Sequence, residues 1–199
     1  MDQIPEILLN TFRKYDTPPI LNSLEILDSN FRTNGFTTEQ MVCADPLLPP
    51  IVGYARTATI RAASVADPQK KRDKGIAYYE YVSSGPGPKI SVIQDVDDNP
   101  GFGAFWGEVN TNIHNALGLL GVLTNGAMRD LDVLSPGFHV LAGKIGPSHA
   151  YVRIEETGLE VKIFGMNVRH NDLIHADRLG AVVVPKELAE GLPSAIKLM

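Results

Sequence analysis

The pattern of apolar and polar residues over residues 89–132 predicts a strand, a loop, a helix and a second strand. The first strand covers Lys89–Val96, where apolar residues dominate. The helix has one apolar face, because its apolar residues recur near i, i+4 and i+7; they are Val109, Ile113, Ala116, Leu117 and Leu120. Two glycines end the helix, and a short buried strand over Gly121–Thr124 then runs to a turn at Asn125-Gly126.

This order predicts a parallel strand-helix-strand unit, in which the chain returns to the level where its helix began. About ten helical residues at roughly 1.5 Å each cover roughly 15 Å. About five strand residues at roughly 3.3 Å each cover the same distance in the opposite direction. We therefore expect Glu108 to meet the Arg129-Asp130 pair in one crevice at the carboxyl edge of the sheet.

The residue types in this crevice indicate a site for a small acid. Backbone N–H groups at the helix start, near 107–110, favour an anion, and the planar guanidinium of Arg129 matches a carboxylate. Asp130 can hold a hard divalent cation that keeps most of its waters. A 2-oxo acid suits all three groups. An Arg-Asp pair at a strand end is also typical of a surface ion pair or a turn, so spacing alone leaves both interpretations open.

The rest of the chain predicts an α/β protein. Two N-terminal helices cover residues 5–15 and 18–27, and an alternating strand covers 51–62. A helix that reaches about Val82 carries a basic run, which is typical of a solvated face; its members are Lys70, Lys71, Arg72 and Lys74. The second half is rich in short strands, at 138–142, 149–154, 159–164 and 181–184, and a short helix covers 185–192.

Other candidate residues have a structural interpretation beside the functional one. Three carboxylates after the first strand, Asp95, Asp97 and Asp98, suit either a cation or a turn. Four residues near the C-terminus are of types that bind metal ions: His170, Asp172, His175 and Asp177. On a strand, the first two would lie on one face and the last two on the other, so this spacing does not gather them around one ion. We expect His139 and His149 to serve packing or hydrogen bonding, and His114 to lie on an exposed or subunit face.

Composition narrows the class of protein. The 199 residues are 44% hydrophobic and 21% charged, which is ordinary for one globular domain. A net charge of -5 argues against general affinity for nucleic acid or anionic membranes. Cys43 is alone, which excludes an internal disulfide and fits a cytoplasmic protein. No apolar run reaches the length of a membrane span, and no Gly-rich phosphate loop is present.

Three segments make the chain resemble the RraA-like family, which includes the regulator of ribonuclease activity A and class II 4-hydroxy-4-methyl-2-oxoglutarate aldolases. They are WGE at 106–108, GVLTNGAMRDLD at 121–132 and VRHNDLIHADRLGAVVVP at 168–185. The resemblance extends from about Asp16 to about Leu192. It implies a single domain over 1–199 with a layered α/β sandwich similar to the phosphohistidine swivelling domain, and an assembly of three or six subunits.

The resemblance also implies roles for the crevice residues. Aldolases of this family have an Asp, twenty intervening residues, Arg-Asp, and an acidic residue three positions after that Asp. By this match Asp130 is the metal ligand, Arg129 binds the pyruvyl part, and the backbone at Gly107, Glu108 and Val109 holds the substrate carboxylate. The chain departs from the pattern twice: Glu108 replaces the first Asp, and Val133 replaces the last acidic residue.

The implied activity is a retro-aldol cleavage that needs Mg²⁺ or Mn²⁺ and releases pyruvate from a 4-hydroxy-2-oxo acid. In it Arg129 stabilises the enolate, and a metal-bound water oriented by Glu108 is the base. Oxaloacetate decarboxylation passes through the same enolate. Two alternatives stay open at this point. One is a regulator that binds a ribonuclease without chemistry, which Val133 favours; the other is a nucleotide-binding α/β domain.

Overall fold

The computed structural model describes residues 3–199, and within that range a nine-stranded sheet forms the centre of a mixed α/β fold. The strands of this sheet are β1 (Val42–Cys43), β2 (Ile51–Arg61), β3 (Lys89–Asp95), β4 (Ala104–Trp106), β5 (Leu119–Met128), β6 (His139–Ile145), β7 (Arg153–Thr157), β10 (Leu173–Asp177) and β11 (Gly180–Val184). A separate hairpin consists of β8 (Val161–Ile163) and β9 (Met166–Val168). The predicted α/β class is confirmed.

The helices lie before, between and after these strands. They are α1 (Glu6–Phe12), α2 (Thr17–Leu27), α3 (Pro68–Ser83), α4 (Glu108–Ala116), α5 (Lys186–Ala189) and α6 (Leu192–Ile196). Short 3-10 turns cover Ser29–Arg32 and Leu131–Val133. The two predicted N-terminal helices and the basic helix α3 are therefore present. None of the helices within residues 3–199 is long and apolar enough to cross a membrane.

The order of the main path through the sheet is β1-β6-β5-β3-β2-β10-β11. Neighbours from β6 to β2 run parallel, whereas β10 and β11 add an antiparallel hairpin beside β2. Alternate side chains of one strand reach different layers, as the period of two requires. In β3, Ile90 and Val92 pack with the β8–β9 hairpin, whereas Ile93 packs with Tyr78 and Trp106. Helices α1, α2 and α6 cover a third apolar cluster.

The predicted parallel unit from β3 through α4 to β5 is confirmed, but three of its details are wrong. A short strand, β4, precedes α4 and pairs with the far end of β5. Helix α4 stops at Ala116, before the predicted end. The strand does not end at Asn125-Gly126, since β5 continues to Met128 with an irregular register after Thr124. The amide side chain of Asn125 explains this continuity, because it bonds the backbone N–H and C=O of Asp95 at 2.7 and 3.1 Å.

The predicted apolar face of α4 is also wrong. Val109 is 66% exposed, whereas the residues that α4 buries are Thr111 and His114. His114 is fully buried rather than on an exposed or subunit face. The reason is that neighbouring elements supply polar partners: the His114 imidazole bonds the Tyr78 hydroxyl at 2.8 Å, and Thr111 Oγ1 accepts the Ser135 amide. Periodicity of apolar residues does not find a helix face that is buried through hydrogen bonds.

Smaller corrections concern the second half of the chain. The strand predicted at 149–154 lies instead at Arg153–Thr157, and residues 149–152 form a turn. The strand predicted at 181–184 is present as β11, which forms an antiparallel hairpin with β10. The short helix predicted at 185–192 is divided into α5 and α6.

Candidate active site

Parallel pairing of β4 with the end of β5 creates the candidate site. The Arg129 amide donates to the Trp106 carbonyl at 2.9 Å, so the residues after each strand lie side by side. Gly107 follows Trp106 and caps α4. A Cβ at Gly107 would lie 2.5 Å from Asp130 Oδ2 and 3.1 Å from Arg129 Cγ. Only a glycine lets the start of α4 approach the Arg-Asp pair this closely.

Asp130 has the backbone conformation of a constrained residue. Its φ of 57° lies in the left-handed region, which Asp tolerates better than most residues. The Asp130 carbonyl accepts the Val133 amide at 3.0 Å, which begins the short 3-10 turn. Its carboxylate points back to α4, since Oδ2 lies 3.4 Å from the Glu108 amide and 3.3 Å from Arg129 Nε. The site therefore holds Asp130 in an uncommon conformation that directs its carboxylate to the helix start.

Arg129 keeps most of its hydrogen-bonding capacity. Its side chain is 34% exposed, and its contact with Asp130 Oδ2 at 3.3 Å is an ion pair through Nε. Among residues 3–199, no acceptor has hydrogen-bond geometry with either terminal nitrogen of this guanidinium. Four N–H donors in a planar fork are thus available to an external carboxylate.

These groups open into a small pocket of about 70 Å³. Its walls include Gly107, Val109, Asn110, Arg129, Asp130 and His149. Four of the predicted site residues thus share one pocket. Glu108 differs, because its amide reaches Asp130 but its exposed side chain is not part of the pocket wall. The sequence predicted the meeting of the two segments, and the roles of the residues stay predictions.

His149 belongs to the pocket although its sequence context predicted only packing or hydrogen bonding for it. His149 Nδ1 lies 2.7 Å from the Ala150 carbonyl. A carbonyl can only accept, so Nδ1 carries the proton of the neutral ring and Nε2 has a lone pair for an incoming proton. The signal that could have found His149 is its place in the loop after β6, a parallel strand next to β5.

A buried chain of hydrogen bonds supports the wall of the pocket. His114 Nδ1 lies 2.6 Å from the Asn110 carbonyl, and its Nε2 lies 2.8 Å from the Tyr78 hydroxyl, which in turn contacts Ser91 Oγ at 3.0 Å. Burial lowers the pKa of His114 to about 4, so the ring is neutral at physiological pH. Nδ1 then donates to Asn110, and Nε2 accepts from Tyr78. This network ties α3, β3 and α4 together behind the pocket.

The acidic residues at the end of β3 and just after it accept hydrogen bonds from backbone amides of nearby turns and loops. Asp95 accepts the amides of Asp97 and Gly101 at 3.0 and 2.7 Å. Asp97 accepts the amides of Ala62 and Ala63 at 2.6 and 2.8 Å. Burial raises the pKa of Asp95. Of the two interpretations that the sequence left open, the turn is therefore the one that the contacts support.

The C-terminal group of ligand types is divided between two places. His170 is exposed and contacts the Tyr81 hydroxyl at 2.7 Å. His175 and Asp177 are buried, and both bind Thr17 at the start of α2, through its hydroxyl at 3.1 Å and its amide at 2.7 Å. The four residues are thus not gathered, as expected, but the reason differs: His170 and Asp172 precede β10, and only His175 and Asp177 lie on it. Within residues 3–199, no group of three or more His, Cys, Asp or Glu is arranged to hold a metal ion.

Comparisons with known proteins agree with the fold. A family model described as RraA-like, Aldolase/RraA, matches residues 23–183. No curated protein sequence matches the chain. The structure of Streptomyces coelicolor RraAS2, described as an unusual member of the RNase ES inhibitor RraA protein family, is similar at a TM-score of 0.75 and 21% identity. The match covers 100% of this chain and 94% of that one.

Two further structures share the fold at lower similarity. The RNA-processing inhibitor RraA from Thermus thermophilis has a TM-score of 0.59 and 17% identity, covering 81% of this chain and 90% of that one. A protein from Geobacillus kaustophilus HTA426 described as S-adenosylmethionine: 2-dimethylmenaquinone methyltransferase has a TM-score of 0.61 and 16% identity, covering 84% and 97%. Identities at this level show the fold alone.

Proposed function

Because the chain belongs to the RraA-like family, whose members include aldolases, we propose that it is a divalent-metal-dependent lyase that releases pyruvate. The substrate class is a 4-hydroxy-2-oxo acid such as 4-hydroxy-4-methyl-2-oxoglutarate. The observation that carries the proposal is the uncommitted guanidinium of Arg129 beside the Asp130 carboxylate and the start of α4, in one small pocket. A regulator that acts by surface contact has no need of this arrangement.

The carboxylate of the substrate would bind between Arg129 and the first turn of α4. First-turn amides have no acceptor within their own helix, and the helix dipole adds positive potential at that end. Gly107 and Val109 line the pocket, and the Glu108 amide lies between them. Two positive sources thus converge on one anion, which accounts for the predicted substrate-binding roles of the backbone at these three residues.

Asp130 is the proposed ligand of Mg²⁺ or Mn²⁺, and the chemistry of its carboxylate fits such an ion. Oδ2 contacts Arg129 and the Glu108 amide, whereas Oδ1 has no partner among the described residues. One protein carboxylate is enough for a cation that keeps most of its waters and takes further oxygens from the substrate. When bound, the cation would supply Lewis-acid chemistry toward the 2-oxo group.

The residues of the chain supply the remaining parts of a retro-aldol cleavage. A base removes the proton of the 4-hydroxyl, the C3–C4 bond breaks, and its electron pair becomes the enolate of pyruvate while C4 becomes a carbonyl. The enolate then takes a proton at C3. Arg129 stabilises the negative charge that develops. His149 in the wall is one candidate for the proton transfers, because its Nδ1 is bonded to a carbonyl and its Nε2 can accept. The exposed Glu108 side chain lies outside the wall and is the second candidate, acting through a bound water.

Oxaloacetate decarboxylation is the expected side activity, since loss of CO₂ from oxaloacetate leaves the same enolate of pyruvate. The assay is therefore pyruvate release from 4-hydroxy-4-methyl-2-oxoglutarate and from oxaloacetate, with Mg²⁺, with Mn²⁺ and with a chelator. Arg129→Ala and Asp130→Asn are the matched inactive controls. If neither substrate gives pyruvate where a known aldolase is active, the lyase proposal is wrong.

The second candidate function is that of a ribonuclease regulator, and one observation favours it. Val133 replaces the last acidic residue of the aldolase pattern and is 53% exposed, next to Leu131 at 39%. Exposed apolar residues directly after Asp130 suit a protein contact better than they suit a metal-binding site. A pull-down with a ribonuclease, alongside a titration with Mg²⁺, separates the two functions. Capture of a ribonuclease without metal binding supports the regulator.

We also propose an assembly of three or six subunits and a cytoplasmic location, in line with the family resemblance and the lone Cys43. Residues of a neighbouring subunit would then border the pocket. Light scattering of the purified chain tests the subunit number.

A further inference from the structure

A larger cavity of about 330 Å³ adjoins the small pocket. Four residues, Phe105, Asn110, His149 and Val152, line both spaces. The two therefore meet along a shared wall, and a ligand held at Arg129 would extend into the larger cavity. Its volume lies at the lower end of the roughly 300–1,000 Å³ typical of ligand pockets.

The larger cavity presents mainly aromatic and aliphatic surface. Tyr78, Tyr79, Phe105, Val152 and Ile154 contribute to its lining. The hydroxyls of both tyrosines are already used, because Tyr78 bonds His114 and Tyr79 donates to Asn110 Oδ1 at 2.9 Å. What these residues offer to a ligand is ring surface rather than hydrogen-bonding groups. Such a lining suits an apolar or aromatic group.

Two cations line the larger cavity, and they differ in their partners. Arg153 is bound by the Glu155 carboxylate at 2.6 Å and by the backbone and side chain of Ser64. The Lys71 ammonium group has no acceptor or acidic partner among residues 3–199. It lines the larger cavity but not the small pocket. The cavity therefore has one unpaired positive charge away from Arg129, which suits a second anionic group.

We propose that the substrate is a 2-oxo acid whose arm beyond the reacting carbons is apolar or aromatic and ends in a carboxylate. This inference rests on the proposed function, because Arg129 must hold the 2-oxo acid end. The arm packs against Tyr79 and Phe105, with Tyr78 buried behind them, and its carboxylate pairs with Lys71. After cleavage, the arm leaves as part of the aldehyde or ketone product, whereas pyruvate leaves from the small pocket.

The test measures binding by calorimetry in the presence of Mg²⁺ for three probes: pyruvate, 2-oxo-4-phenylbutanoate and its para-carboxy derivative. We expect the phenyl probe to bind about tenfold more tightly than pyruvate, since the ring is buried only in the larger cavity. We expect the carboxylated probe to gain about a further fivefold through Lys71. These gains do not depend on turnover.

Two variants, each with a matched control, identify the residues that produce the tighter binding. Gly75, in the middle of α3, lines the cavity, and a Cβ there meets nothing within 4 Å. Gly75→Leu therefore adds apolar bulk at the cavity wall, and Gly75→Ala, which adds only that Cβ, is its control. Gly75→Leu should abolish the tighter binding of both arm-bearing probes and leave pyruvate unchanged. Lys71→Ala should remove only the gain of the carboxylated probe. Lys70→Ala, next in sequence and not part of this cavity, should change nothing.

The outcomes distinguish this inference from the proposed function. If pyruvate binds but the phenyl probe binds no more tightly, the arm proposal alone is wrong. The same holds if Gly75→Leu weakens all three probes equally. If no probe binds, both proposals are wrong.

Discussion

Two arginines of this chain, Arg56 and Arg129, show how the same side chain is used in opposite ways. The Arg56 guanidinium is fully buried and makes five hydrogen bonds, to the carbonyls of Ala55, Ser84 and Pro86 and to Asn171 Oδ1. All five of its N–H groups are satisfied by the fold. The Arg129 side chain is 34% exposed, and its guanidinium pairs only with Asp130 among the described residues. The donors that the fold leaves unused are the ones available to a ligand.

The loop around Arg56 extends this comparison. Gly85 has a φ of 76°, and a Cβ there would lie 2.6 Å from an Arg56 terminal nitrogen. The Gly-Pro segment at 83–88 therefore closes over a buried cation. Gly107 allows a similarly close approach at the Arg129-Asp130 pair, where a Cβ would lie 2.5 Å from Asp130 Oδ2, but it leaves the pocket open. Gly85 lets the loop pack over Arg56, whereas Gly107 keeps Arg129 accessible to a ligand.

Two histidines repeat the contrast. His114 is buried, with both ring nitrogens bonded and its pKa lowered to about 4 by burial. His149 is exposed at the pocket and has one ring nitrogen bonded, to the Ala150 carbonyl. The buried His114 contributes to stability, whereas the exposed His149 lies beside the proposed substrate. Four experiments test this division.

The largest effect should come from Arg129→Leu. We expect kcat/KM for pyruvate release to fall by about 10³, because a preorganised cation at a developing enolate contributes on this scale. Arg129→Lys should keep part of the activity, since it keeps the charge but loses the planar fork. Steady-state kinetics measure the loss, and urea unfolding should show a stability within about 0.5 kcal/mol of the native chain. A large loss of stability would contradict the division.

The next effect concerns Arg56→Met. We expect the free energy of unfolding to fall by about 3 kcal/mol, because several buried acceptors lose their donor at once. Urea denaturation followed by circular dichroism gives the value. In the folded fraction, the dissociation constant for pyruvate should be unchanged. A stability equal to that of the native chain would mean that water replaces the guanidinium, and the comparison would then fail.

The third effect is the pH dependence that His114 adds to stability. Its pKa is about 4 in the folded chain, against 6.5 for the ordinary side chain. The unfolded state therefore binds more protons between these values, so stability is complete above pH 6.5 and is lost as pH falls toward 4. We expect His114 to account for about 2 kcal/mol of the loss between pH 7 and pH 5.

His114→Phe isolates the contribution of His114 to the pH dependence, because the phenyl ring fills a similar volume and cannot titrate. The unfolding free energy of this variant at pH 7 and pH 5 should differ by about 2 kcal/mol less than in the native chain. Equal differences in both proteins would show that His114 is protonated in the folded state. Burial also lowers the pKa values of His175 and His139, which therefore add pH dependence of the same sign.

The smallest effect should come from Asp130→Gly. Glycine adopts the left-handed conformation without strain, so we expect the free energy of unfolding to rise by about 0.5 kcal/mol. Binding of Mn²⁺, measured by electron paramagnetic resonance, should be lost in the same variant. Asp130→Asn keeps the tolerated conformation and is the control for stability. A variant that binds Mn²⁺ normally would remove Asp130 from the metal site.

The sequence predicted much of the frame of the site. Alternating apolar residues predicted β2, and a run of apolar residues predicted β3. The lengths of the elements predicted that Glu108 and the Arg129-Asp130 pair meet. The prediction failed where polar contacts replaced apolar ones. Helix α4 buries Thr111 and His114 rather than its apolar residues, and β5 passes through Asn125-Gly126 because the Asn125 side chain binds Asp95.

The amino-acid sequence by itself determined the α/β class, the parallel unit and the identity of the charged residues at its edge, because these depend on local periodicity and residue chemistry. Only the tertiary structure decided which donors stay unused. Whether a guanidinium is enclosed, as at Arg56, or left open, as at Arg129, depends on carbonyls and loops far away in sequence. The same long-range packing joined the larger cavity to the small pocket and brought His149 and Lys71 to their walls.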